Sequence, residues 1–389
     1  MTDNTTKPDH CTARLHGSIA EIGRETWDRC AANRNPFITY DFLHILEQSG
    51  CVGSSAGWLP HHLSLEDASG SVVGVMPLYL KGHSQGEYVF DYGWADAFMR
   101  AGGQYYPKLQ CSSPFSPVTG PRLLVDSGAN LEEVERALLK SAISAVGELG
   151  VSSLHVTFPT EAEWKLMGKM GFLLRIDQQF HWLNDGYGSF DQFLDALSSR
   201  KRKSIRRERR EALRSGIDVE IATGSDLTEA HWDAFYEFYT DTGMRKWGRP
   251  YLNRRFFSLL GEQMGDAVVL VLARRDGRYI AGALNMLGTD TLYGRYWGAT
   301  EDHPFLHFEI CYYQAIDFAI QHGLRRVEAG AQGPHKLSRG YLPTPTFSAH
   351  WIAHEGLRDA VARFLERERH YVSAEMASLG NYGPFKKGE

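Results

Sequence analysis

The sequence predicts a mixed α/β (α+β) protein built from two similar halves, and three observations lead to this prediction. The 389 residues have an ordinary globular composition, 43% apolar and 23% charged, and the length suits two or three domains. A helix followed by a short strand occurs twice along the chain, and a predicted β-hairpin precedes each copy. Hairpins supply mostly antiparallel sheet on which long helices pack, which is typical of this fold class.

The clearest repeat aligns residues 140–158 with residues 313–331 without a gap, at an offset of 173. Gly150 and Gly323 coincide, and each is expected to end a helix in the left-handed conformation before the next strand begins. A looser match relates residues 63–80 to residues 271–287, both with the pattern of a hairpin. Two matches in the same order indicate a duplication.

The elements of the second half follow from hydrophobic periodicity and turn residues. Alternating or continuous apolar runs predict strands, and apolar residues three and four apart predict helices. The predicted order is strand 219–224, helix 227–243, helix 253–265, a run of strands over 267–299, a helix from Glu309 and strand 325–331. The first half is expected to follow the same plan.

A strongly basic stretch interrupts this otherwise acidic chain, whose formal net charge is −5. Residues 200–214 hold nine Lys or Arg and two acids, a local charge of +7 that leaves −12 for the rest. We expect Ser189 to begin a helix that continues through this stretch. A charge this local fits docking of one anionic group or segment better than a general nucleic-acid coat. The alternative is a solvated charged helix with internal ion pairs. The expected contacts, three and four residues apart, are Arg200, Lys203, Arg206 and Arg207.

The five cysteines are scattered without a CxxC motif, so neither a disulfide framework nor a zinc site is expected, and we predict no metal. The sequence contains no HExxH, P-loop or GxSxG motif. Residues 1–11 are expected to be a disordered tail rather than a signal peptide. The longest compact apolar run, residues 267–273, is too short to cross a bilayer. A reducing cytoplasm is the simplest expected location.

Six long stretches resemble the bacterial FemAB-like predicted N-acyltransferases, which are related to the Fem-type peptidoglycan aminoacyltransferases. They are residues 35–50, 74–98, 105–124, 198–212, 307–320 and 328–343. The resemblance implies two tandem GNAT-like (acyl-CoA N-acyltransferase) domains, each a mixed, mostly antiparallel sheet flanked by helices. Their expected bounds are 12–180 and 181–389, with the basic helical segment 198–216 in the second.

The same resemblance implies transfer of an acyl or aminoacyl group from an activated carrier to an amine, with a cell-wall (peptidoglycan) precursor as the candidate acceptor. The donor, aminoacyl-tRNA or acyl-CoA, would be a co-substrate, and no tightly bound cofactor is expected. The basic helix would bind tRNA, a nucleotide-sugar or a lipid-linked precursor, the last with peripheral membrane contact.

The chain departs from the CoA-dependent pattern, in which a glycine-rich loop cradles the pyrophosphate just before the long helix. At that place residues 298–311 contain acids and a proline, and residues 111–124 also lack the glycine spacing. A conventional acyl-CoA-dependent GNAT acetyltransferase and a non-catalytic module binding RNA or a cell-wall precursor remain alternatives.

A polar, glycine-rich loop at residues 329–343 follows the last repeated strand and is the main candidate site. We expect it to be in the catalytic half, with His335 as a general base for the amine. The alternative is a structural loop with solvent-facing polar residues. The other ligand-binding candidates in the loop are Gln332, Lys336 and Arg339.

Two further candidates come from polar residues in apolar or aromatic surroundings. Glu309 lies among apolar residues where a helix starts, so burial would make it a candidate base; the alternative is an acid bonded to the backbone or to His307. In the first half, Tyr105, Tyr106 and Lys108 are candidates to line a groove for a sugar or peptide, the alternative being a proline-rich loop packed on the sheet. A backbone N–H on the central strand would suffice for the developing oxyanion.

Overall fold

The computed structural model describes residues 11–32, 35–247, 250–330 and 333–386, and it divides into two compact units. Unit 1 consists of Met1–Arg175 and Phe347–Glu366, and unit 2 of Ile176–Thr346 and Arg367–Glu389. Each unit therefore includes a segment from near the C-terminus. The predicted tail lies outside the described residues except for Cys11. The predicted bounds of two sequence-continuous domains, 12–180 and 181–389, stay a prediction.

Unit 1 combines short strands with one long helix and several short ones. Its strands, the last of which continues into unit 2, are β1 (Thr12–His16), β2 (Trp58–Pro60), β3 (His62–Glu66), β4 (Val72–Met76), β5 (Leu78–Lys81), β6 (Lys108–Cys111), β7 (Leu124–Val125), β8 (Ser153–Thr157) and β9 (Leu173–Leu183). Its helices are α1 (Ile19–Ile22), α2 (Arg24–Ala31), α3 (Tyr40–Gln48), α4 (Tyr92–Arg100), α5 (Leu131–Glu148) and α6 (Glu161–Lys169).

Unit 2 has longer strands and the two longest helices. Its strands are β10 (Ile217–Ala222), β11 (Val268–Arg275), β12 (Arg278–Leu287), β13 (Thr291–Ala299), β14 (Arg326–Glu328) and β15 (Leu342–Ile352). Its helices are α7 (Phe190–Ala196), α8 (Ser199–Ala212), α9 (Glu229–Trp247), α10 (Arg254–Met264), α11 (Leu306–Phe308), α12 (Gln314–Gln321) and α13 (Glu355–Gly380), with a π-helical turn at Glu309–Tyr313 between α11 and α12. Strand β15 and helix α13 both continue across a boundary between the units.

Most strand pairs are antiparallel, and each unit has one parallel pair. In unit 1 the strand order is β1-β3-β4-β7 in one sheet and β15-β8-β6-β5-β2 in the other, with β6 and β8 parallel. In unit 2 the order is β10-β11-β12-β13-β14-β9, with β13 and β14 parallel. Helix α5 buries Leu138 and Ala142 against the sheet of unit 1, and α12 buries Ile316 in the core of unit 2. The predicted mixed α/β class is confirmed.

The predicted repeat is visible in this topology. The two matched segments are α5 with β8 and α12 with β14, and in each the strand pairs parallel with one neighbour and antiparallel with the other. Gly150 and Gly323 end their helices with φ of 63° and 65°, which confirms the expected left-handed turns. Both predicted hairpins form, as β3–β4 and β11–β12.

One detail differs from the sequence interpretation. The helix that begins at Ser189 stops at Ala196, because Leu197 is extended and buried, and α8 then begins separately at Ser199.

Candidate functional site

The parallel ladder between β13 and β14 in unit 2 ends before β13 does. Strands β13 and β14 pair at three positions, and the last joins Tyr293 to Glu328. Beyond it β13 continues to Ala299, paired on its other edge with β12. A bulge places Arg295 as an extra residue in β13, a local distortion that is frequent beside active sites. Within the described ranges, the ladder with β14 therefore covers only the first three residues of β13.

Glu328 occupies this ladder end and is buried, with 4% of its surface exposed. It is flanked by Tyr293 on β13 and by His181 on β9. The Glu328 Oε2 and His181 Nε2 atoms are 3.9 Å apart. Burial raises the pKa of Glu328 to about 7, although Arg326 and Arg295 act against that rise. Burial lowers the pKa of His181 to about 3, so its imidazole is neutral at pH 7.

The predicted loop begins at the same ladder end and forms a 3₁₀ turn over Pro334–Arg339. The His335 Nε2 atom lies 3.0 Å from the Tyr312 hydroxyl, and its ring is surrounded by His307 and Phe308. Burial, with Arg339 and Lys336 nearby, lowers the pKa of His335, so it is largely neutral at pH 7. Gln332 lies outside the described residues.

Lys336 and Arg339 are buried and hold the loop in place. The Lys336 ammonium donates to the carbonyl oxygens of Ala329 and, at 3.1 Å, Gly330. Burial lowers the pKa of Lys336 to about 8. Arg339 donates to the His335 carbonyl and to Glu208, both at 2.7 Å, and its guanidinium lies 3.4 Å from the centre of the Phe308 ring. These contacts use most of the polar capacity of both residues inside unit 2.

Glu309 is fully buried at the start of the π-helical turn. Both of its oxygens accept from Arg209 of α8, at 3.0 Å to Nη2 and 3.2 Å to Nε, and Oε1 also accepts from Gln314 at 2.7 Å. The predicted partner His307 contacts Trp297 and Tyr312 instead. Because its carboxylate is paired with Arg209, Glu309 fixes α8 against the π-helical turn.

The basic helix α8 has two distinct faces. Its inner face buries Ile205, Glu208 and Ala212, and Glu208 accepts hydrogen bonds from Ser204, Tyr313 and Arg339.

The outer face of α8 carries the four cations predicted to bind a ligand, and all four are exposed: Arg200, Lys203, Arg206 and Arg207. Arg206 forms an exposed ion pair of 2.9 Å with Asp191, whereas Arg200 and Lys203 have no ion pair within the described part of the chain. Because its buried residues and its exposed cations lie on opposite faces, α8 can pack within unit 2 and still carry a strong positive charge.

The three candidates of unit 1 lie in or beside a buried polar network. Tyr105 and Lys108 are fully buried, and Tyr106 is partly exposed. The Lys108 ammonium donates to Ser84 and Glu87 at 2.8 Å and to Asp91 at 2.5 Å. Charge is balanced within this network, since each buried lysine has a carboxylate close by.

The second lysine of this network, Lys81, is also fully buried and lies 3.8 Å from Glu87. Burial lowers the pKa of Lys81 to about 6 and raises that of Glu87 to about 7. The network reaches the matched strand β8, because the Tyr105 hydroxyl lies 3.3 Å from His155 and donates to Asp91 at 2.7 Å.

In unit 1, Arg122 fills the space beyond the parallel pair of β6 and β8, and only 1% of its surface is exposed. Its guanidinium donates to the carbonyl oxygens of Thr157, Gly120 and Val118, and also to that of Pro121. The corresponding region of unit 2 is lined by titratable and aromatic side chains. Elsewhere in unit 1, Tyr106 lines an open pocket of about 190 Å³ together with Phe98 and His354.

Sequence reasoning did not nominate Glu328, His181, Lys81 or Glu87. A signal was available for Glu328, because the repeat offset pairs it with His155, and both are polar residues within apolar strands. The cross-strand partners His181 and His350 could not be found in this way, since strand order brings them there. In the described ranges, no group of three or more His, Cys, Asp or Glu has the arrangement of a metal site. None of the described helices combines the length and apolar character needed to span a bilayer.

Comparison with protein families finds a match over nearly the whole chain. Residues 18–387 match the model of the FemAB-like family, which is described as acting in peptidoglycan biosynthesis or recognition. Among the curated proteins no match is found.

Three solved structures are similar to this chain at low sequence identity. The crystal structure of FemX has a TM-score of 0.55 and 14% identity, and covers 91% of this chain and 100% of FemX. The C-terminal domain (DUF2156) of a candidate lysylphosphatidylglycerol synthetase from Agrobacterium fabrum has a TM-score of 0.54 and 12% identity, with 90% and 97% covered. L-PGS from Bacillus licheniformis has a TM-score of 0.50 and 9% identity, with 82% and 95% covered. These likenesses concern the fold.

Proposed function

The chain belongs to the FemAB-like family, and from this premise we propose that it is an N-acyltransferase whose reaction takes place at the ladder end of unit 2. Family membership supports acyl or aminoacyl transfer connected with peptidoglycan. The finer proposal is that the group moves from an activated carrier to the amine of a peptidoglycan precursor. The observation that carries it is the end of the β13–β14 ladder in unit 2, the unit that also holds buried titratable side chains and a basic helix.

The end of the β13–β14 ladder suits the chemistry of acyl transfer. When an amine attacks an ester or thioester carbonyl, negative charge develops on the carbonyl oxygen, and pre-oriented N–H groups stabilise it. A sheet holds the backbone N–H groups of its strands in fixed positions. We propose that a backbone N–H of β13 close to the end of the β13–β14 ladder is the oxyanion donor.

The loop that follows β14 supplies polar groups at this ladder end. His335 is held by Tyr312 and is largely neutral at pH 7, so it can donate or accept a hydrogen bond. We propose that His335 contacts the acyl donor or the amine acceptor. The sequence predicts the same role for Gln332. Lys336 and Arg339 fix the loop backbone, and Glu309 fixes α8 through Arg209.

The outer face of α8 supports a donor larger than CoA. Four exposed cations, Arg200, Lys203, Arg206 and Arg207, exceed what one pyrophosphate needs, and they match the repeated phosphates of a tRNA backbone. The segment between β13 and α11 also lacks the glycine spacing of a pyrophosphate loop. Aminoacyl-tRNA is therefore the preferred donor, whereas acyl-CoA, a nucleotide-sugar and a lipid-linked precursor are alternatives for the assay.

In unit 1, Tyr106 beside the open pocket is the proposed contact for the sugar or peptide of the acceptor. A cytoplasmic location stays a prediction.

A matrix of donors and acceptors tests the proposal. The full-length protein is incubated with aminoacyl-tRNA or acetyl-CoA and with a UDP-linked or lipid-linked muropeptide, and products are detected by mass spectrometry. We expect one aminoacyl group to be added to the muropeptide in the presence of charged tRNA. Turnover with acetyl-CoA alone would show the conventional acetyltransferase. Tight binding of tRNA or precursor without product from any pair would show a non-catalytic binding module and overturn the proposal.

A further inference from the structure

The open pocket of unit 1 lies at the start of β8, where three chain segments meet. Ser152, the residue before β8, donates its backbone N–H to the Pro107 carbonyl at 3.3 Å and accepts at its own carbonyl from the Ala353 N–H at 3.1 Å. All three residues line the pocket, so backbone hydrogen bonds hold its floor in place. Arg122 donates to the carbonyl of Thr157, the last residue of β8, and therefore lies at the other end of this strand.

The repeat gives unit 2 the same backbone arrangement, but there a side chain covers it. The offset of 173 relates Ser152 to Arg325, whose carbonyl accepts from the Asn184 N–H at 2.8 Å. Asn184 thus corresponds to Ala353, and its side-chain amide also donates to the Leu324 carbonyl at 3.1 Å. In unit 1 a methyl group stands at that position, and the space beside it belongs to the pocket.

Flat apolar side chains contribute to the walls of the pocket, and they belong to Phe98, Tyr106 and Pro107. The Phe98 ring packs on Gly103, where a Cβ atom would lie 2.4 Å from it. The Tyr106 hydroxyl is hydrogen-bonded to Ser84 at 2.8 Å, and Ser84 belongs to the buried polar network of unit 1. Rings fixed in this way offer a stacking surface to a ligand that has an apolar face.

Two side chains of the lining offer hydrogen bonds to a ligand. Gln104 is exposed, and its amide has no hydrogen-bond partner in the described part of the chain. The His354 Nδ1 atom accepts from the Leu357 N–H at 3.2 Å, so this nitrogen carries no proton and the ring proton is on Nε2. The pocket therefore presents one N–H donor and one amide that both donates and accepts.

The lining is uncharged, which selects among classes of ligand. Among the described residues that line the pocket there is no Asp, Glu, Lys or Arg. A phosphate or the end of a peptide would bring a charge to it without a counter-ion. The volume of about 190 Å³ is below the roughly 300–1,000 Å³ of pockets for drug-sized ligands, so it suits a single ring. A pyranose combines an apolar C–H face with neutral hydroxyl groups.

We propose that this pocket binds one pyranose ring of a neutral sugar, with its C–H face on Phe98 and Tyr106 and its hydroxyls at Gln104 and His354. The inference rests on the proposed function only where it assigns the ring to the acceptor, and it selects the sugar of the precursor rather than its peptide. The same ring chemistry occurs at the end of a glycan chain, so the experiment includes both sources.

Saturation-transfer NMR and calorimetry on the full-length protein test binding without any donor or turnover. The probes are N-acetylglucosamine, its β-1,4-linked tetramer, a UDP-linked muropeptide and the dipeptide D-alanyl-D-alanine. We expect N-acetylglucosamine to bind, with the strongest saturation at its ring C–H protons, and the dipeptide not to bind. Tighter binding of the muropeptide than of the tetramer supports assignment to the precursor. The reverse order would keep the sugar site and overturn that assignment.

Three variants and one control locate the binding. Gln104→Ala and Tyr106→Ala, which remove one polar and one stacking contact, should weaken sugar binding by about 3–10-fold and about tenfold. Ala353→Asn should reduce it below detection, because the new side chain covers the pocket as Asn184 covers the corresponding place in unit 2. Tyr371→Ala removes an exposed ring outside the pocket and should leave binding unchanged. Thermal melting checks that each variant is folded.

Several results would overturn the inference whatever the transfer assays show. They are absence of sugar binding by wild type at millimolar concentration, binding of the dipeptide alone, or unchanged sugar binding in both Gln104→Ala and Ala353→Asn, two substitutions at exposed positions. If no donor and acceptor pair gives product but the sugar binds and the variants weaken it, the acyl-transfer proposal fails and the sugar site is still established.

Discussion

The two halves of the repeat carry buried polar residues at the same place in the fold but use them differently. In unit 1, Lys108 is paired with Glu87 and Asp91, and Arg122 occupies the space beyond the parallel pair with its guanidinium bonded to backbone carbonyls. In unit 2, the end of the β13–β14 ladder contains the buried carboxylate of Glu328, whose Oε2 atom has no hydrogen-bond partner among the described residues. In unit 1 the buried lysine has two carboxylate partners, although Glu87 Oε1 and Asp91 Oδ1 also lack hydrogen-bond partners among the described residues. In unit 2 the buried carboxylate of Glu328 has Arg326 as its nearest cation, at 3.6 Å.

This difference separates buried polar groups that stabilise the fold from buried polar groups that indicate a functional site. Buried charges that are paired stabilise one arrangement and are damaging only when a partner is removed. Buried polar atoms that lack partners lower stability, and proteins retain such costs mainly at functional sites. The two units are therefore expected to respond to substitution in opposite directions.

The largest effect on stability is expected in unit 1, from Lys108→Met. The change leaves Glu87 and Asp91 buried without their shared cation, which should lower the free energy of unfolding by about 3–5 kcal/mol. Urea unfolding measures it, with the exposed Lys140→Met of α5 as the control, expected to change stability by less than about 0.5 kcal/mol. Equal effects of the two substitutions would show that the buried network does not stabilise unit 1.

In unit 2, Glu328→Gln should have the opposite sign and depend on pH. The pKa of Glu328 is raised from 4.5 to about 7, so between these values the folded state holds a proton that the unfolded state has lost. Wild-type stability therefore falls as pH rises from about 4.5 to about 7, by at most about 3 kcal/mol. The variant should match wild type near pH 4 and be more stable at pH 8, as thermal melts at the two pH values would measure. Destabilisation at pH 8 would contradict the comparison.

The outer face of α8 should bind polyanions, a property that the helices of unit 1 should not share. Replacing the four cations Arg200, Lys203, Arg206 and Arg207 by Gln should weaken tRNA binding and reduce the slope of log K against log salt by about 3. The control replaces the same number of cations on helices α5 and α6: Arg136, Lys140, Lys165 and Lys169. A slope that falls equally in both variants would mean that α8 is not the binding surface.

The smallest effect compares the two glycines that end the repeated helices. Gly150→Ala and Gly323→Ala should each cost about 1–2 kcal/mol, because φ is 63° and 65° and no neighbouring atom obstructs a Cβ at either position. Gly147→Ala, inside α5 and also unobstructed, should instead be stabilising by about 0.5–1 kcal/mol. Chemical denaturation measures all three, and clearly unequal costs at Gly150 and Gly323 would weaken the case for equivalent turns.

The sequence by itself determined the class of fold, the repeat and the position of the polar loop, because hydrophobic periodicity and helix-ending glycines act over a few residues. It also located the basic stretch, but not its two faces, since those depend on what packs against Ile205 and Glu208. The buried pairs of Glu309 with Arg209 and of Lys108 with Asp91 join residues that are distant in sequence.

Only the tertiary structure decided that His181 lies beside Glu328 and His350 beside His155. Strand order sets these neighbours, and in both units the pairing strand comes from a different part of the chain. A side chain's pKa and its chance of binding a ligand depend on burial and on such neighbours, which no local pattern encodes.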